Sequence, residues 1–309
     1  MDEGKPEWLK IRPPTTEKFE GIKGTIAKLG LHTVCQEAHC PNMSECWSGG
    51  TATFMVMGDT CTRGCRFCAV SKAQEGRPLD PLEPAKLAQA VKEFGLDYVV
   101  ITSVDRDELP DQGATHFANC ISELKKQVPG VLVEVLIPDF QGEEECIRRV
   151  VAAGPDVIAH NVETTREMQK FVRDRRANYE QSLEVLRIVK RLDAKIYTKS
   201  SIILGMGEKE EDVLLAMDDL RGAGCDILTM GQYLRPSERQ IAVAEFVKPE
   251  KFARLKEAGE AKGFLYVAAG PFVRTSYRAG ELFIKALMER NAGKATVEEV
   301  IVHGQKKSV

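Results

Sequence analysis

Thr51-Ala52-Thr53-Phe54-Met55-Val56-Met57 runs directly into Gly58-Asp59-Thr60-Cys61-Thr62-Arg63-Gly64-Cys65-Arg66-Phe67-Cys68. The first part reads as a strand, and the second is a loop at its C-terminal end. The loop carries its cysteines as Cys-x₃-Cys-x₂-Cys, with a glycine that lets it turn. This spacing gathers three thiolates around one soft metal centre. A four-iron cluster held by three cysteines keeps one iron open, and an open iron can bind and activate a small molecule. Zinc is the rival, because four-cysteine zinc sites also use short spacings; the missing fourth ligand nearby favours iron and sulfide.

Downstream, strand and helix patterns alternate. Helices are expected over 84–94, 113–127, 143–153, 179–192 and 209–222, and strands over 98–102, 131–136, 157–160, 195–203 and 227–230. With the opening strand these make six β-α units, the pattern of parallel strands joined by helical crossovers. A helix over 249–258 and a short strand over 264–268 follow, the strand read as lying outside the main sheet, and a helix over 277–288 closes the pattern. In a barrel built this way, residues just past the C-terminal ends of the strands line the site. That rule nominates the cysteine loop, Thr102-Ser103-Val104-Asp105-Arg106, Pro138-Asp139-Phe140, His160-Asn161-Val162-Glu163, Leu204-Gly205-Met206-Gly207-Glu208 and Gly231-Gln232-Tyr233.

Upstream, residues 1–30 read as an extended arm. Pro6, Pro13 and Pro14 oppose regular structure, Trp8, Leu9 and Ile11 offer apolar anchors, and 19–29 holds a short helical turn. A second cysteine triplet follows as Cys35-x₄-Cys40-x₅-Cys46. Two triplets in succession are hard to explain as structural cysteines. His39 reads as a pocket residue beside them.

The composition bounds the function classes. The chain has 309 residues, 43% hydrophobic and 29% charged, with formal net charge −3, which suits one large α/β barrel domain. No apolar run approaches the roughly 18 residues of a spanning helix. The opening Met1-Asp2-Glu3-Gly4-Lys5-Pro6 lacks the apolar core of a signal peptide. The mild acidity gives no support to nucleic-acid binding. Nine cysteines point to metal chemistry in a reducing compartment, hence a cytoplasmic location, rather than a disulfide scaffold.

The cysteine loop, with Phe67 before its last cysteine, resembles the signature of the radical S-adenosylmethionine superfamily. Beyond the loop the chain resembles the lipoyl synthase family from about Trp8 to Glu281. The similarity is carried by Cys35-x₄-Cys40-x₅-Cys46, Gly50-Thr51-Ala52-Thr53-Phe54-Met55, Gly58-Asp59-Thr60-Cys61-Thr62-Arg63, Thr102-Ser103-Val104-Asp105-Arg106-Asp107, Pro138-Asp139-Phe140-Gln141-Gly142, Gly231-Gln232-Tyr233-Leu234-Arg235-Pro236-Ser237 and Arg274-Thr275-Ser276-Tyr277.

This resemblance implies an α/β fold, a partial (β/α)₆ TIM-like barrel over 51–235. An N-terminal segment, 1–50, carries the auxiliary cluster, and a C-terminal extension, 236–309, carries a serine ligand and the closing helix. It implies two [4Fe–4S] clusters. Cys61, Cys65 and Cys68 would hold the one that binds S-adenosylmethionine; Cys35, Cys40 and Cys46 would hold the auxiliary one. The family's fourth auxiliary ligand is a serine in an Arg-Ser-Ser-Tyr motif; here Thr275 replaces the first serine, and Ser276 is the expected ligand. The implied reaction inserts two sulfur atoms at C6 and C8 of an octanoyl group in amide linkage to a carrier lysine, with the auxiliary cluster as sulfur donor. The implied partners are octanoylated carriers (2-oxoacid dehydrogenase E2 lipoyl domains and glycine cleavage H protein), a ferredoxin- or flavodoxin-type reductant and an iron–sulfur carrier. No nucleic acid or membrane is implied, and a monomer is the expectation.

Contacts to S-adenosylmethionine are assigned on this basis. Phe67 borders the adenine, Thr102, Ser103 and Asp105 meet the methionine part or the ribose, and Asn161 and Glu163 meet the ribose or amino group. Lys199 and Ser201 point inward, and Gly205 and Gly207 permit close backbone approach. Each has a plainer use: Thr102, Ser103 and Asp105 as helix caps, Lys199 as partner of a barrel carboxylate, the glycines as turn formers. Rival functions are another radical enzyme with an auxiliary cluster, a two-cluster electron carrier and a zinc scaffold.

Overall fold

The computed structural model describes residues 6–9, 16–40, 42–48 and 52–275. In chain order the strands are β1 (His32–Thr33), β2 (Thr53–Val56), β3 (Thr60–Cys61), β4 (Ser71–Lys72), β5 (Tyr98–Ser103), β6 (Leu132–Leu136), β7 (Val157–Ala159), β8 (Tyr197–Leu204), β9 (Ile227–Gln232) and β10 (Tyr266–Gly270). β2 and β5 to β10 lie side by side in sequence order, every pair parallel, and β1 adds an antiparallel edge on β2. Parallel neighbours need a crossover each. Helices Glu83–Phe94, Ala114–Gln127, Glu144–Ala152, Tyr179–Leu192, Glu210–Gly222 and Pro249–Ala261 supply them in turn.

Side-chain alternation curves this sheet into a partial barrel. Val99, Ile101, Val133 and Val135 face the helices in the main core. Tyr98, Val100 and Leu132 turn the other way and meet Val157, Tyr197, Ile227 and Tyr266, one from each of β7 to β10. A cluster drawn from six successive strands requires their inner faces to converge, which makes it the barrel floor. Beside it, Lys199 Nζ sits 2.7 Å from Glu134 Oε1, each side chain 1% exposed, and the Tyr98 hydroxyl also donates to Glu134. A buried ammonium needs such a partner.

Two expectations change at the edges of the fold. The arm over 1–30 contains a full helix, Glu17–Leu29, capped by Thr16 and ended by Gly30 in the left-handed conformation. Phe19, Ile22 and Ile26 fall on one face and are buried, with the Phe19 ring 5.1 Å from that of Trp47. Burying each is worth about 1.5–3 kcal/mol. That outweighs the cost of about 1 kcal/mol each for Gly21 and Gly24 inside the helix. The strand expected outside the sheet is β10, which pairs with β9 over its whole length, Tyr266 opposite Ile227 through Gly270 opposite Gly231. The helix expected over 277–288, and Ser276, lie outside the described residues.

Candidate active site

A cavity of about 360 Å³ opens at the C-terminal end of the barrel. Its wall brings together Cys61, Cys65 and Cys68 with Cys40 of the upstream triplet. Phe67, Thr102, Ser103, Asp105, Asn161, Glu163 and Ser201 line it as well. Lys199 does not; it is held in the ion pair with Glu134. Gly205 and Gly207 also stand off the wall. Gly205, at φ +99, is needed where it is because an added Cβ would lie 2.4 Å from the Glu245 carbonyl oxygen. The turn there is closed by Glu208, whose carboxylate accepts from the Gly205 and Met206 amides at 2.6 and 3.0 Å.

Arg63, inside the cysteine loop, fastens the loop to two strand ends. Its Nη1 and Nη2 donate to the Asp139 carboxylate at 2.7 and 2.6 Å, and its Nε and Nη2 donate to Asp107 at 2.9 and 2.8 Å. The Arg63 side chain is 2% exposed and that of Asp139 is 0%. Burial opposes ionisation of Asp139, but the hydrogen bonds and charge of Arg63 hold its carboxyl down at about 2. Asp174 secures the other side, accepting from the Gly64 amide at 2.6 Å while its own amide donates to Cys65 Sγ at 3.3 Å. The Arg63 amide likewise donates to Cys61 Sγ at 3.4 Å.

The loop leaves β2 through Met57, which sits at φ +70, an unfavourable conformation for a residue with a side chain. Its amide donates to Glu83 Oε2 at 2.9 Å and its carbonyl accepts from Arg106 Nη1 at 3.0 Å. Glu83 is itself bound to His116 Nε2 at 2.6 Å. Gly113 makes room for Met57, since an added Cβ there would lie 2.1 Å from its sulfur. Sequence reading missed Glu83, His116 and Asp174 as site-builders, and it nominated Arg63 and Arg106 only as members of their strand-end stretches. A lone charged side chain has no periodicity, whether in a loop or at the start of a helix, and the group it serves is dozens of residues away.

The upstream triplet is built by a short helix, Val34–Glu37, capped by Thr33, and a second, Met43–Ser48, with Cys40 between them. Asn42 Nδ2 donates to the Phe272 carbonyl at 2.6 Å, which ties this segment to the end of the described chain. Thr275 Oγ1 accepts from Asn161 Nδ2 at 3.0 Å, so the hydroxyl that replaces the family's first serine is engaged with the barrel. Arg274 lines the cavity, burial lowering its pKa while the charge of Cys40 opposes that.

The donors fit iron–sulfur clusters better than zinc. Each triplet offers three cysteine sulfurs, all soft donors, which suits a four-iron cluster with one iron left to a further ligand, whereas a structural zinc takes four protein ligands. Two buried wall atoms, Ser103 Oγ and Asn161 Oδ1, have no hydrogen-bond partner among the described residues, as a polar ligand would require. Burial pushes the thiols up, Cys35 and Cys68 to about 11 and Cys61 to about 12, so metal loading has to displace protons.

The family described as the radical SAM superfamily matches residues 55–220, and the N-terminal domain of lipoyl synthase matches residues 3–40. Lipoyl synthase of Halobacterium salinarum is 57% identical over 299 residues, covering 95% of this chain and 95% of its own length. The mitochondrial lipoyl synthase of Picea sitchensis is 51% identical, covering 96% of this chain and 78% of its own. The chain belongs to the lipoyl synthase family. Among solved structures it is similar to methylornithine synthase (TM-score 0.53, 12% identity, 87% of this chain and 86% of that one). It is also similar to the FeFe-hydrogenase maturase HydG of Carboxydothermus hydrogenoformans (TM-score 0.53, 13% identity, 88% and 78%). At those identities the likeness is one of fold, and it bears out the partial barrel. As a lipoyl synthase of the radical SAM superfamily, the chain uses S-adenosylmethionine and [4Fe–4S] clusters.

One wall residue of this lipoyl synthase makes its stability pH-dependent. His160 Nδ1 and Nε2 lie 2.9 Å from the Ile137 carbonyl and 3.0 Å from Ser182 Oγ, and burial, with the charge of Arg173, lowers its pKa to about 4. The neutral ring is the folded form. Its contribution is fully present above the unfolded value near 6.5 and is lost as pH falls toward 4. Asp105, raised by burial to about 6, works in the opposite sense in part of that window. The comparison is therefore with His160→Gln. Denaturant unfolding of the metal-free protein should show the stability gap between wild type and variant narrowing by about 2 kcal/mol from pH 7 to pH 5. A constant gap would mean the ring titrates in the fold as it does in the unfolded chain.

Proposed function

We propose that this chain inserts two sulfur atoms at C6 and C8 of an octanoyl group carried on a protein lysine, with Cys61, Cys65 and Cys68 holding the cluster that binds S-adenosylmethionine and Cys35, Cys40, Cys46 and Ser276 holding the second. The observation that carries this reading is that one cysteine of the upstream triplet, Cys40, faces the same cavity as Cys61, Cys65 and Cys68, while Cys35 and Cys46 stand behind the wall. When bound, the clusters and S-adenosylmethionine supply a 5′-deoxyadenosyl radical and the sulfide to be inserted.

The chain's own residues bind, orient and exclude water. Ser103 Oγ and Asn161 Oδ1, unpartnered and buried, meet the amino-acid end of S-adenosylmethionine. Glu163, at φ +64 and bonded to Asn161 Nδ2 at 3.0 Å, faces the ribose or amino group, and Phe67 covers the adenine. Thr102, Ser201 and Asp105 complete the polar side of the wall. Val34, Met55, Leu136 and Ile137 give the octanoyl chain an apolar wall in the same cavity. Hydrogens on such a chain are unactivated, so a dry wall that excludes competing donors matters more than acid–base groups. Engagement of the Thr275 hydroxyl by Asn161 favours Ser276 as the oxygen ligand.

The partners that follow are E2 lipoyl domains and H proteins in octanoylated form, a ferredoxin- or flavodoxin-type donor, and an iron–sulfur carrier that restores the second cluster. The nine free cysteines suit a reducing cytoplasm, and the protein acts as a monomer. Among the described residues no helix is long and apolar enough to cross a membrane. The division into 1–50, 51–235 and 236–309 follows the two cluster segments and the barrel between them. The test is anaerobic incubation of the reconstituted protein with S-adenosylmethionine, a strong reductant and an octanoyl-lysine peptide. Mass spectrometry should find the lipoyl peptide; no lipoyl peptide with both clusters intact would sink the proposal.

A further inference from the structure

Charge is segregated around the outside of the cysteine loop. Over 65–72, 170–176 and 233–241 the chain carries eight cations against two carboxylates, although its formal net charge is −3. These stretches are far apart in sequence but stitched together by hydrogen bonds. The Arg66 amide donates to the Val172 carbonyl at 2.8 Å, and Arg66 Nη1 to the Phe171 carbonyl at 3.1 Å. The Ile241 amide donates to the Arg66 carbonyl at 3.1 Å, and Gln240 Nε2 to the Cys68 carbonyl at 3.2 Å. Arg66, Lys170, Arg175, Arg176, Arg235 and Arg239 are all exposed. Among the described residues, no ion pair joins Lys170, Arg175 or Arg239 to a carboxylate. Phe171 is 49% exposed beside them, with Lys170 Nζ 4.9 Å from its ring centroid.

We propose that this basic face, centred on Arg66 and Phe171, is the docking surface for an acidic one-electron donor protein. The inference rests on the reading of Cys61, Cys65 and Cys68 as ligands of the reducible cluster. Each S-adenosylmethionine cleaved takes one electron, so the donor is oxidised by one and the centre in this loop is reduced by one. Electron tunnelling falls steeply with distance, and a partner on this face is separated from the loop by the thickness of the loop itself. A partner on the helical outside of the barrel is a whole layer away. The carrier domain has no such need, because its acylated lysine reaches into the cavity and its body can rest elsewhere on the rim. A cationic surface with an exposed aromatic suits a transient, electrostatically steered encounter with an acidic protein.

The test uses the loaded enzyme with Lys170→Glu, Arg175→Glu and Arg239→Glu combined, none of which lines the cavity. Formation of 5′-deoxyadenosine is followed with dithionite and, separately, with an acidic flavodoxin-type protein and its reductase. The protein-driven kcat/KM should fall about tenfold or more at low ionic strength, the deficit shrinking with added salt, while the dithionite-driven rate and the KM for octanoylated carrier stay within about twofold. An unchanged protein-driven rate overturns the proposal. So does a raised carrier KM under both reductants, which would give the face to the carrier. So does an equal loss with dithionite. Arg239→Glu alone, expected to show a smaller loss of the same kind, guards against a folding defect in the triple variant. If the wild type makes no 5′-deoxyadenosine with dithionite, the radical reading itself fails.

Discussion

Arg63→Leu is expected to destabilise the protein by about 3–5 kcal/mol, because it leaves the carboxylate of Asp139 buried without its cation and leaves Asp107 to Arg176 alone. The Arg63 amide and carbonyl survive the substitution, so the loss comes from the side chain alone. Thermal unfolding of the metal-free protein should show the midpoint lowered by about 10 °C. Iron at the first site should be lost preferentially, since the guanidinium joins the cysteine loop to the ends of β5 and β6. Arg63→Lys should recover only part of this, a single ammonium being unable to form the bidentate bond to Asp139 and reach Asp107 at once. The double variant Arg63→Leu/Asp139→Asn should be more stable than Arg63→Leu, because one uncompensated charge is gone. A midpoint within about 2 °C of wild type for Arg63→Leu would mean the loop does not depend on this clamp.

Cys40→Ala has the second large effect, on product rather than on fold. Cys40 faces the cavity beside the downstream cysteines but is not part of their loop. Iron content should fall from about eight to about four per chain. Cleavage of S-adenosylmethionine should persist, whereas lipoyl product should disappear. Cys65→Ala should abolish both. Metal analysis with 5′-deoxyadenosine and peptide assays separates the two variants. Lipoyl product from Cys40→Ala would remove the second cluster from the account.

Much of this protein can be read without coordinates. Strands and helices of the barrel announce themselves through apolar runs and amphipathic spacing, and the site falls where six β-α units put it. The cysteine spacings are local and therefore legible. What escapes is long-range or context-bound. The helix Glu17–Leu29 hides behind Gly21 and Gly24, and it forms because Trp47 provides a surface for Phe19. β10 is short and follows a loop, so only its pairing with β9 shows that it belongs to the main sheet. Lys199 has the inward direction and the barrel carboxylate considered for it, but that the carboxylate is Glu134, 65 residues away, only the structure reveals. Gly205 owes its identity to the Glu245 carbonyl and Gln232, neither of which a turn pattern reveals. The clamp of Arg63 on Asp107 and Asp139 joins three loops that have no sequence relation to one another.

The central claim, that the cluster of Cys35, Cys40 and Cys46 gives up its sulfide to the substrate, is tested most directly by isotopic labelling. The protein is reconstituted with ³⁴S-sulfide, freed of excess sulfide and allowed a single turnover on the octanoyl-lysine peptide in medium of natural isotopic content. The account predicts a lipoyl peptide carrying two heavy sulfur atoms, in an amount no greater than one per chain; a product with sulfur of natural content, or continued turnover without added sulfide, would contradict it.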